Sequence, residues 1–313
     1  MTIDHELDAM VFPGITPSRF PDVGKFMLIN PCARELVAAA DETLGYSLLD
    51  RFRNSESDFT ESARVAFLVN CLALARWAEE EYGARAEAVV GPSFGGTPAA
   101  VHCGALSFAD AVWLTARWGH SLDAYFAEEY GDVVTQSFAR TPPERLATIR
   151  AELEEAGEWH EIACHVDDDF YMLSVRERRL EWLQQRVRAL GGLPLYTMRP
   201  PMHSPAFGRL RERIERDLFA PLSFSDPVVP VVSDHDGSVL RTGEQVRTLL
   251  LDGIVRPVHW PKALAALRGL GVSRLYVSGP DGLWGRVRCA RRFDVVALKP
   301  KTALLPRRQA AAA

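Results

Sequence analysis

One serine in this sequence stands in a context that could make it a nucleophile. Ser93 occupies the centre of Gly-Pro-Ser-Phe-Gly, which follows the apolar pair Val89 and Val90 and precedes a run of small residues. A serine at the tip of a strand-to-helix turn adopts a strained backbone, and glycines two residues away on either side remove the side chains that would clash. The pattern predicts a nucleophile elbow at Ser93, with an ordinary tight turn as the alternative.

A serine nucleophile needs a base, and the sequence offers eight histidines. His203 stands in Pro-Pro-Met-His-Ser-Pro, where the prolines fix the backbone and would hold the imidazole in one orientation. His259, in Pro-Val-His-Trp, is the rival, because an α/β-hydrolase places its histidine late in the chain, after an acid such as Asp234 or Asp236. The large insertion between Ser93 and His203 fits that fold poorly. We therefore expect His203 to be the base.

Composition and charge exclude several other classes of protein. The chain has 313 residues, a net charge of −5 and 47% hydrophobic residues, which is typical of a globular protein and does not indicate nucleic-acid binding. Its five cysteines are odd in number and widely spaced, as expected for reduced thiols in a cytoplasmic protein. We expect no signal peptide, no membrane span and no metal; His165, beside three aspartates, fits a hairpin turn better than a metal site.

The elements that must position the serine and the histidine follow from apolar periodicity. Strands are predicted near 9–12 and 228–232, and helices over 33–50, 61–82 and 107–130. Buried strands alternating with helices indicate an α/β fold with a parallel sheet, whose chemistry lies at the carboxyl ends of the strands. We expect this large α/β-hydrolase-like catalytic domain to comprise residues 1–130 and 199–313.

Residues 131–198 have a different pattern, which we interpret as an inserted subdomain. Strands and helices are predicted in the order β-α-β-β-α-β, the series of a ferredoxin-like unit. Its first helix is expected to begin with a capping box formed by Thr141 and Glu144, and its second with Ser174 and Glu177.

The order of these motifs along the chain resembles the malonyl-CoA:acyl-carrier-protein transacylases and polyketide synthase acyltransferase domains. The matching stretches are Val-Phe-Pro-Gly, Thr-Glu-Ser-Ala, Gly-Pro-Ser-Phe-Gly, the inserted subdomain, Met-His-Ser-Pro, Val-Pro-Val-Val, Pro-Val-His-Trp and Gly-Pro-Asp. Each motif is weak by itself, but their order and spacing from about residue 10 to 290 are specific.

The resemblance implies roles for individual residues. Ser93 would be the nucleophile and His203 its base, and the backbone N–H groups of Ile15 and Phe94 would form the oxyanion hole. A carbonyl near Arg256 would orient the histidine. The enzyme would bind no cofactor of its own, because the acyl group arrives on the phosphopantetheine arm of a carrier protein.

One departure from the family pattern concerns substrate selection. Malonyl-type members carry an arginine, directly before a glycine, that pairs with the free carboxylate of the substrate; this chain has Trp118 there, within Ala-Arg-Trp-Gly. A carboxylate left unpaired in a buried pocket costs several kcal/mol, so we expect malonyl to be rejected. Arg117 could substitute, but one residue along a helix turns the side chain by about 100°. Met202 also departs from the residues typical of malonyl selection.

The combination looks most like the standalone transacylases of macrolactam antibiotic pathways, the vicenistatin-type enzymes that move aminoacyl or dipeptidyl groups between carrier proteins. We therefore expect a monomeric acyltransferase that forms an acyl-serine and moves an uncharged acyl group from one carrier protein to another. A carrier-protein thioester hydrolase with the same residues, a malonyl-type transacylase and a non-catalytic carrier-protein binding module are the alternatives.

Arginines provide a predicted docking surface for the acidic carrier proteins, with a merely solvated face as the alternative. They form one group late in the chain and one in the subdomain. The members are Arg286, Arg288, Arg291 and Arg292, and Arg176, Arg178 and Arg179.

Overall fold

The computed structural model describes residues 7–305, and the alanines at the end of the chain, for which we predicted disorder, lie outside this range. The first of two sheets has six strands in the order β11-β10-β1-β2-β7-β8. All neighbouring pairs are parallel except β7 and β8. The strands are β1 (Leu7–Val11), β2 (Ala86–Val90), β7 (Val231–Val232), β8 (Val239–Leu240), β10 (Val272–Ser278) and β11 (Asp294–Leu298).

The second sheet has five strands in the order β6-β3-β5-β4-β9. They are β3 (Val133–Ala139), β4 (His160–Asp167), β5 (Phe170–Arg176), β6 (Leu193–Met198) and β9 (Val258–His259). The first four pair antiparallel, whereas β9 returns from the later part of the chain and adds a parallel edge beside β4. Through this pairing, a strand that lies between β8 and β10 in the chain becomes part of the second sheet.

Helices pack against both sheets. They are α1 (Phe20–Ile29), α2 (Pro31–Leu44), α3 (Leu48–Arg53), α4 (Glu61–Tyr82), α5 (Gly96–His102), α6 (Phe108–Glu129), α7 (Pro143–Glu155), α8 (Leu180–Ala189), α9 (Gly208–Ile214), α10 (Gly243–Asp252), α11 (Trp260–Gly269), α12 (Leu283–Arg286) and α13 (Pro300–Ala303).

Three apolar cores hold these layers together. In β1, Met10 faces a core formed mainly with α1 to α6, while Ala9 and Val11 face a second core shared with β4, β5 and α11. Successive strand residues point to opposite faces, so covering both faces produces the nearly continuous apolar runs read from the sequence. The third core lies between the second sheet and helices α7 and α8. The predicted α/β class with a parallel sheet is confirmed.

Helix α4 has buried residues on all sides. Thr60 caps its first turn by accepting a hydrogen bond from the Ala63 N–H, and Gly83 ends it in the left-handed conformation at φ 63°. The helix packs between α2 and α6 and against β10. Because it has no solvent-facing stripe along most of its length, any charged residue in its middle is forced into the interior.

Several local predictions were wrong. Pro142, not Thr141, is the N-cap of α7, and it makes no side-chain capping bond. Ser174 lies within β5, where its hydroxyl pairs with that of Thr135, so it opens no helix. The predicted strand over 228–232 contracts to Val231–Val232, since Val228 is exposed.

Two glycines that flank Ser93 are required by close backbone contacts. A Cβ atom added at Gly91 would lie 1.9 Å from the Gly95 carbonyl oxygen, and one added at Gly95 would lie 2.0 Å from that of Phe12. Both distances are far below any tolerated contact, and the obstacle is backbone that cannot rotate away. The turn after β2 can therefore form only with glycine at these positions.

We expect Gly91→Ala to lower the free energy of unfolding by about 3 kcal/mol or more, because the backbone must shift to admit the methyl group. Urea unfolding followed by circular dichroism measures this. Gly208→Ala is the matched control: no atom lies within 4 Å of an added Cβ there, so its stability should change by less than about 1 kcal/mol. Equal effects of the two substitutions would show that the turn is not constrained in this way.

Candidate active site

Ser93 and Asp234 meet at the carboxyl ends of two adjacent parallel strands. Ser93 follows β2 and Asp234 follows β7, and these strands pair through Val89 with Val231 and Val90 with Val232. The carboxyl ends of neighbouring parallel strands open at the same edge, which brings the following loops together. The Ser93 backbone N–H donates to Oδ2 of Asp234 at 2.8 Å.

Ser93 adopts the strained backbone that the elbow pattern predicted. Its φ is 56°, in the left-handed region that residues other than glycine seldom occupy, and a short 3-10 turn leads from it into α5. The hydrogen bond to Asp234 is one of the contacts that hold this conformation. Its side chain is thereby presented at the tip of the turn.

His203 lies opposite Ser93. Its Nε2 is 2.9 Å from Ser93 Oγ, and its own backbone is left-handed at φ 67°. The His203 backbone N–H donates to the Ile254 carbonyl at 3.0 Å, which ties the loop after β6 to the segment after α10. The structure thus brings together the two residues expected to act as nucleophile and base.

The imidazole of His203 is held neutral. Burial lowers its pKa to about 4, and the carboxylate of Asp234 and the backbone of Gly253 and Arg256 oppose this shift. Within residues 7–305, Nδ1 makes no hydrogen bond of ordinary geometry, but the backbone of Arg256 lies close enough to the ring to raise its pKa. A neutral imidazole can accept the hydroxyl proton of Ser93 through Nε2.

The rival α/β-hydrolase triad does not form. The ring of His259 stacks on that of His165, with centroids 4.6 Å apart, and Asp234 contacts the Ser93 backbone with its carboxylate. Asp236 accepts from Ser238 and pairs with Arg256 at 2.8 Å. Sequence reasoning considered Asp234 only as a triad acid; the pairing of β2 with β7 was the missing information.

Two cavities meet at the Ser93 and His203 pair. The first has a volume of about 100 Å³ and extends between α4 and α6, with walls that include Phe94, Trp118 and Met202. The second, about 50 Å³, lies between the two sheets and includes Thr135, Tyr196 and Asp281. Residues common to both are Ile15, Ser93, Met202 and His203. The reacting pair therefore lies at the junction of the two cavities.

Ile15 and Phe94, which we expect to form the oxyanion hole, both lie beside the reacting pair. Ile15, in the loop after β1, lines both cavities, and Phe94 directly follows Ser93. Neither backbone N–H donates to an acceptor among residues 7–305. Both donors are available to a substrate oxygen, which is the arrangement that stabilises a tetrahedral intermediate of acyl transfer.

The structure offers no metal centre in the part of the chain it describes. No group of three or more histidine, cysteine, aspartate or glutamate side chains within residues 7–305 is placed to hold a metal ion. The helices over the same range include none with the length and apolar character needed to cross a bilayer.

Three comparisons with known proteins all point to acyltransferases. Residues 137–198 match the family model described as the VinK acyltransferase small domain. The malonyl CoA-acyl carrier protein transacylase of Escherichia coli K12 is 27% identical over 281 residues, covering 87% of this chain and 88% of that protein. Its counterpart from Bacillus subtilis is 26% identical over 306 residues and covers 94% of each chain.

A solved structure extends the likeness to the fold. A type II PKS acyl-carrier protein in complex with its malonyl-transacylase has a chain that superposes with a TM-score of 0.83, at 21% identity, covering 95% of this chain and 99% of that one. The chain therefore resembles the malonyl-CoA:acyl-carrier-protein transacylases in sequence and in fold along most of its length.

The clearest difference expected from the malonyl-type transacylases is at the position of their substrate-pairing arginine. Trp118 lines the first cavity and packs edge-on against Phe219, with ring centroids 5.9 Å apart. Arg117 is exposed and its guanidinium lies over the ring of Trp113 at 4.5 Å, outside the cavity. The expectation that Arg117 belongs to the substrate pocket was wrong, because its helical position turns it away.

A different arginine enters the cavity. Arg64, in the middle of α4, is only 8% exposed and lines the same cavity as Ser93 and Trp118. Sequence reasoning missed it, although an arginine inside an otherwise apolar buried helix was a visible signal.

The arginines expected to dock a carrier protein do not form one patch. Arg288 pairs with Asp169 at 3.1 Å beside the start of β5, whereas Arg176 ends that strand and pairs with Asp132. Six residue steps along a strand span about 20 Å, so the two groups lie well apart. Arg178 and Arg179 both pair with Glu158.

Removing the carboxylate of Asp234 should impair the transacylase without unfolding it. For Asp234→Ala we expect a 10- to 100-fold slower acylation by a pantetheine thioester, about the value of one hydrogen bond to a charged group. Asp234→Asn keeps an oxygen that can accept from the Ser93 N–H and should retain most of the rate.

Asp236→Ala is the control, since its carboxylate contacts Ser238 and Arg256. Rapid-quench mass spectrometry gives the rates. Acylation of Asp234→Ala at the wild-type rate would show that this hydrogen bond does not position Ser93. A rate for Asp234→Asn as low as that for Asp234→Ala would show the same.

Proposed function

We propose that the protein transfers an acyl group between two acyl carrier proteins through an ester on Ser93, with His203 as the general base. The observation that carries the proposal is the 2.9 Å contact between Ser93 Oγ and His203 Nε2 at the junction of two cavities. The bound substrate would be the thioester on a phosphopantetheine arm, and the enzyme itself would need no cofactor.

In the first half-reaction the acyl group moves onto the enzyme. Ser93 Oγ attacks the thioester carbonyl carbon while its proton passes to His203 Nε2. The backbone N–H groups of Ile15 and Phe94 donate to the developing oxyanion. The carbon–sulfur bond then breaks, and the imidazolium gives its proton to the departing thiolate. The free thiol of the first carrier protein and an acyl-Ser93 ester result.

The second half-reaction reverses these steps with a new thiol. His203 removes the proton from the thiol of the second carrier protein, and the sulfur attacks the ester carbonyl. Collapse of the intermediate restores the Ser93 hydroxyl, whose proton returns from His203. A base that stays neutral above a pKa of about 4 can serve both halves across the physiological range.

Transfer requires that water does not intercept the ester. His203 is only 7% exposed, and the first cavity, of about 100 Å³, is walled largely by apolar side chains. A small apolar cavity filled by the acyl chain leaves little room for a hydrolytic water. These features favour transfer over thioester hydrolysis.

We further propose an aminoacyl or dipeptidyl group as the substrate, within polyketide macrolactam biosynthesis. Trp118 replaces the arginine that malonyl-type members use, and Trp118, Phe219 and Met202 give the cavity broad apolar walls. The match of residues 137–198 to the VinK acyltransferase small domain supports the same assignment.

Carrier proteins would dock on the surface formed by Arg286, Arg288, Arg291 and Arg292, which follows β10. Arg291 and Arg292 are exposed, and Arg286 and Arg288 keep more than 60% of their side-chain surface despite pairing with Asp281 and Asp169. A partly compensated arginine surface suits an acidic partner. The solved transacylase with its acyl-carrier protein supports a partner of this kind.

Intact mass spectrometry with pantetheine thioesters tests the proposal. We expect a dipeptidyl thioester to add its acyl mass to the wild-type enzyme, Ser93→Ala to show no adduct, and the exposed-serine control Ser57→Ala to acylate as wild type. Added pantetheine should collect the acyl group faster than water does. An adduct in Ser93→Ala would contradict the nucleophile, and release at the same rate with and without thiol would indicate a hydrolase.

A further inference from the structure

Arg64 carries a charge into the interior without an ion pair. No carboxylate oxygen within residues 7–305 lies within 4.0 Å of its guanidinium, and its Nε donates to the Phe59 carbonyl at 2.9 Å. Asp123 exerts a more distant attraction, while burial lowers the pKa of the guanidinium. The neighbouring buried positions of α4 are apolar or small, so this cation is exceptional within its helix.

The side chain of Arg64 lines the cavity that contains Ser93, and its guanidinium carbon lies 5.9 Å from the centre of the Phe59 ring. Its two terminal nitrogens donate to no acceptor among the described residues. They are also absent from the fully buried polar atoms that lack a partner, so a ligand can reach them. The cavity is the accessible space that Arg64 lines. The side chain also passes close to α6, because a Cβ added at Gly119 would lie 3.1 Å from Arg64 Nε. Up to four N–H donors of a residue that lines this cavity together with Trp118 are thus available to a ligand.

This arrangement is unfavourable for stability by itself. A buried charge without a partner costs several kcal/mol, and apolar replacements at such sites are often neutral or stabilising. A long apolar side chain could fill the same space between α4 and α6. The arginine is therefore better explained by a ligand that occupies the cavity than by a contribution to folding.

The chemistry of that ligand follows from the donors. An ammonium held next to the guanidinium would be repelled by it, and a purely aliphatic chain would leave the N–H groups of Arg64 unpaired. An oxygen acceptor satisfies them. One feature favours a neutral carbonyl over a carboxylate: Asp123 already compensates part of the charge of Arg64.

We infer that Arg64 determines acyl specificity by donating hydrogen bonds to the amide carbonyl of an N-acylated aminoacyl group carried on Ser93. A dipeptidyl group, whose ammonium is one residue farther from the ester, is one such substrate. The inference rests on the proposed acyl transfer and narrows its substrate class. Free aminoacyl groups are then poor substrates. The cation that malonyl-type enzymes place on α6 is supplied here from α4, for a different acceptor.

The test compares acylation rates for four pantetheine thioesters: N-acetylglycyl, glycyl, pentanoyl and malonyl. Pentanoyl matches the chain length of N-acetylglycyl without the amide. For wild type we expect N-acetylglycyl to be preferred over the other three. Arg64→Met should lower the N-acetylglycyl rate relative to pentanoyl about 10- to 100-fold, as expected for hydrogen bonds from a charged donor. Arg117→Met, whose side chain lies outside the cavity, is the matched control.

The ratio of two rates on one variant is insensitive to partial unfolding, and urea unfolding should show Arg64→Met to be at least as stable as wild type. An unchanged N-acetylglycyl to pentanoyl ratio in Arg64→Met, with Ser93 still acylated, would overturn the role of Arg64 and leave the transfer intact. A preference for malonyl that Arg64→Met abolishes would overturn the amide assignment. Absence of any Ser93 adduct in wild type would instead contradict the proposed function.

Discussion

The reacting pair depends on two left-handed backbone residues that face each other across 2.9 Å. Ser93 and His203 have φ values of 56° and 67°, and neither is a glycine. Such conformations cost about 1–3 kcal/mol each and persist only where the surroundings fix them. Here each backbone N–H is held from a neighbouring segment, that of Ser93 by Asp234 and that of His203 by Ile254. The elements that supply those acceptors therefore serve the site as directly as the pair itself.

The position of His203 between the two sheets also determines its protonation state. Because His203 comes from the loop after the second sheet and packs against the edge of the first, its ring is sealed from solvent and stays neutral. Burial disfavours the imidazolium, while Asp234 and nearby carbonyls limit that penalty. The proton from Ser93 can thus be held briefly at Nε2 without a carboxylate bonded to Nδ1. One buried junction provides both the base and the exclusion of water.

Prediction from sequence succeeded where the signal was local. The glycines around Ser93 indicate a close backbone contact that no other residue permits. Long helices such as α4 are predicted by their continuous apolar runs. It failed where the cause is distant. The strands β7 and β9 are only two residues long and are defined by the strands they pair with. The capping box predicted at Thr141 does not form, because the prolines that follow it begin the helix one residue later.

The pocket shows the same division. Trp118 could be placed because a motif fixed its position, whereas Arg117, considered for the same pocket, lies outside it because its position on α6 turns it away. Arg64 lies on another helix, and nothing in its local sequence says that α4 and α6 enclose a common space. Contacts between residues far apart in the chain therefore set specificity, whereas the nucleophile is encoded within a few residues.

The pH dependence of Ser93 modification by a fluorophosphonate tests directly whether a buried neutral His203 activates Ser93. Since the folded pKa of His203 is about 4, the account predicts a rate constant that is level from about pH 5.5 to 8 and falls only as the pH approaches that value. His203→Ala should lose modification across the whole range. A rate that declines through the ordinary histidine pKa near 6.5, or modification that persists in His203→Ala, would contradict it.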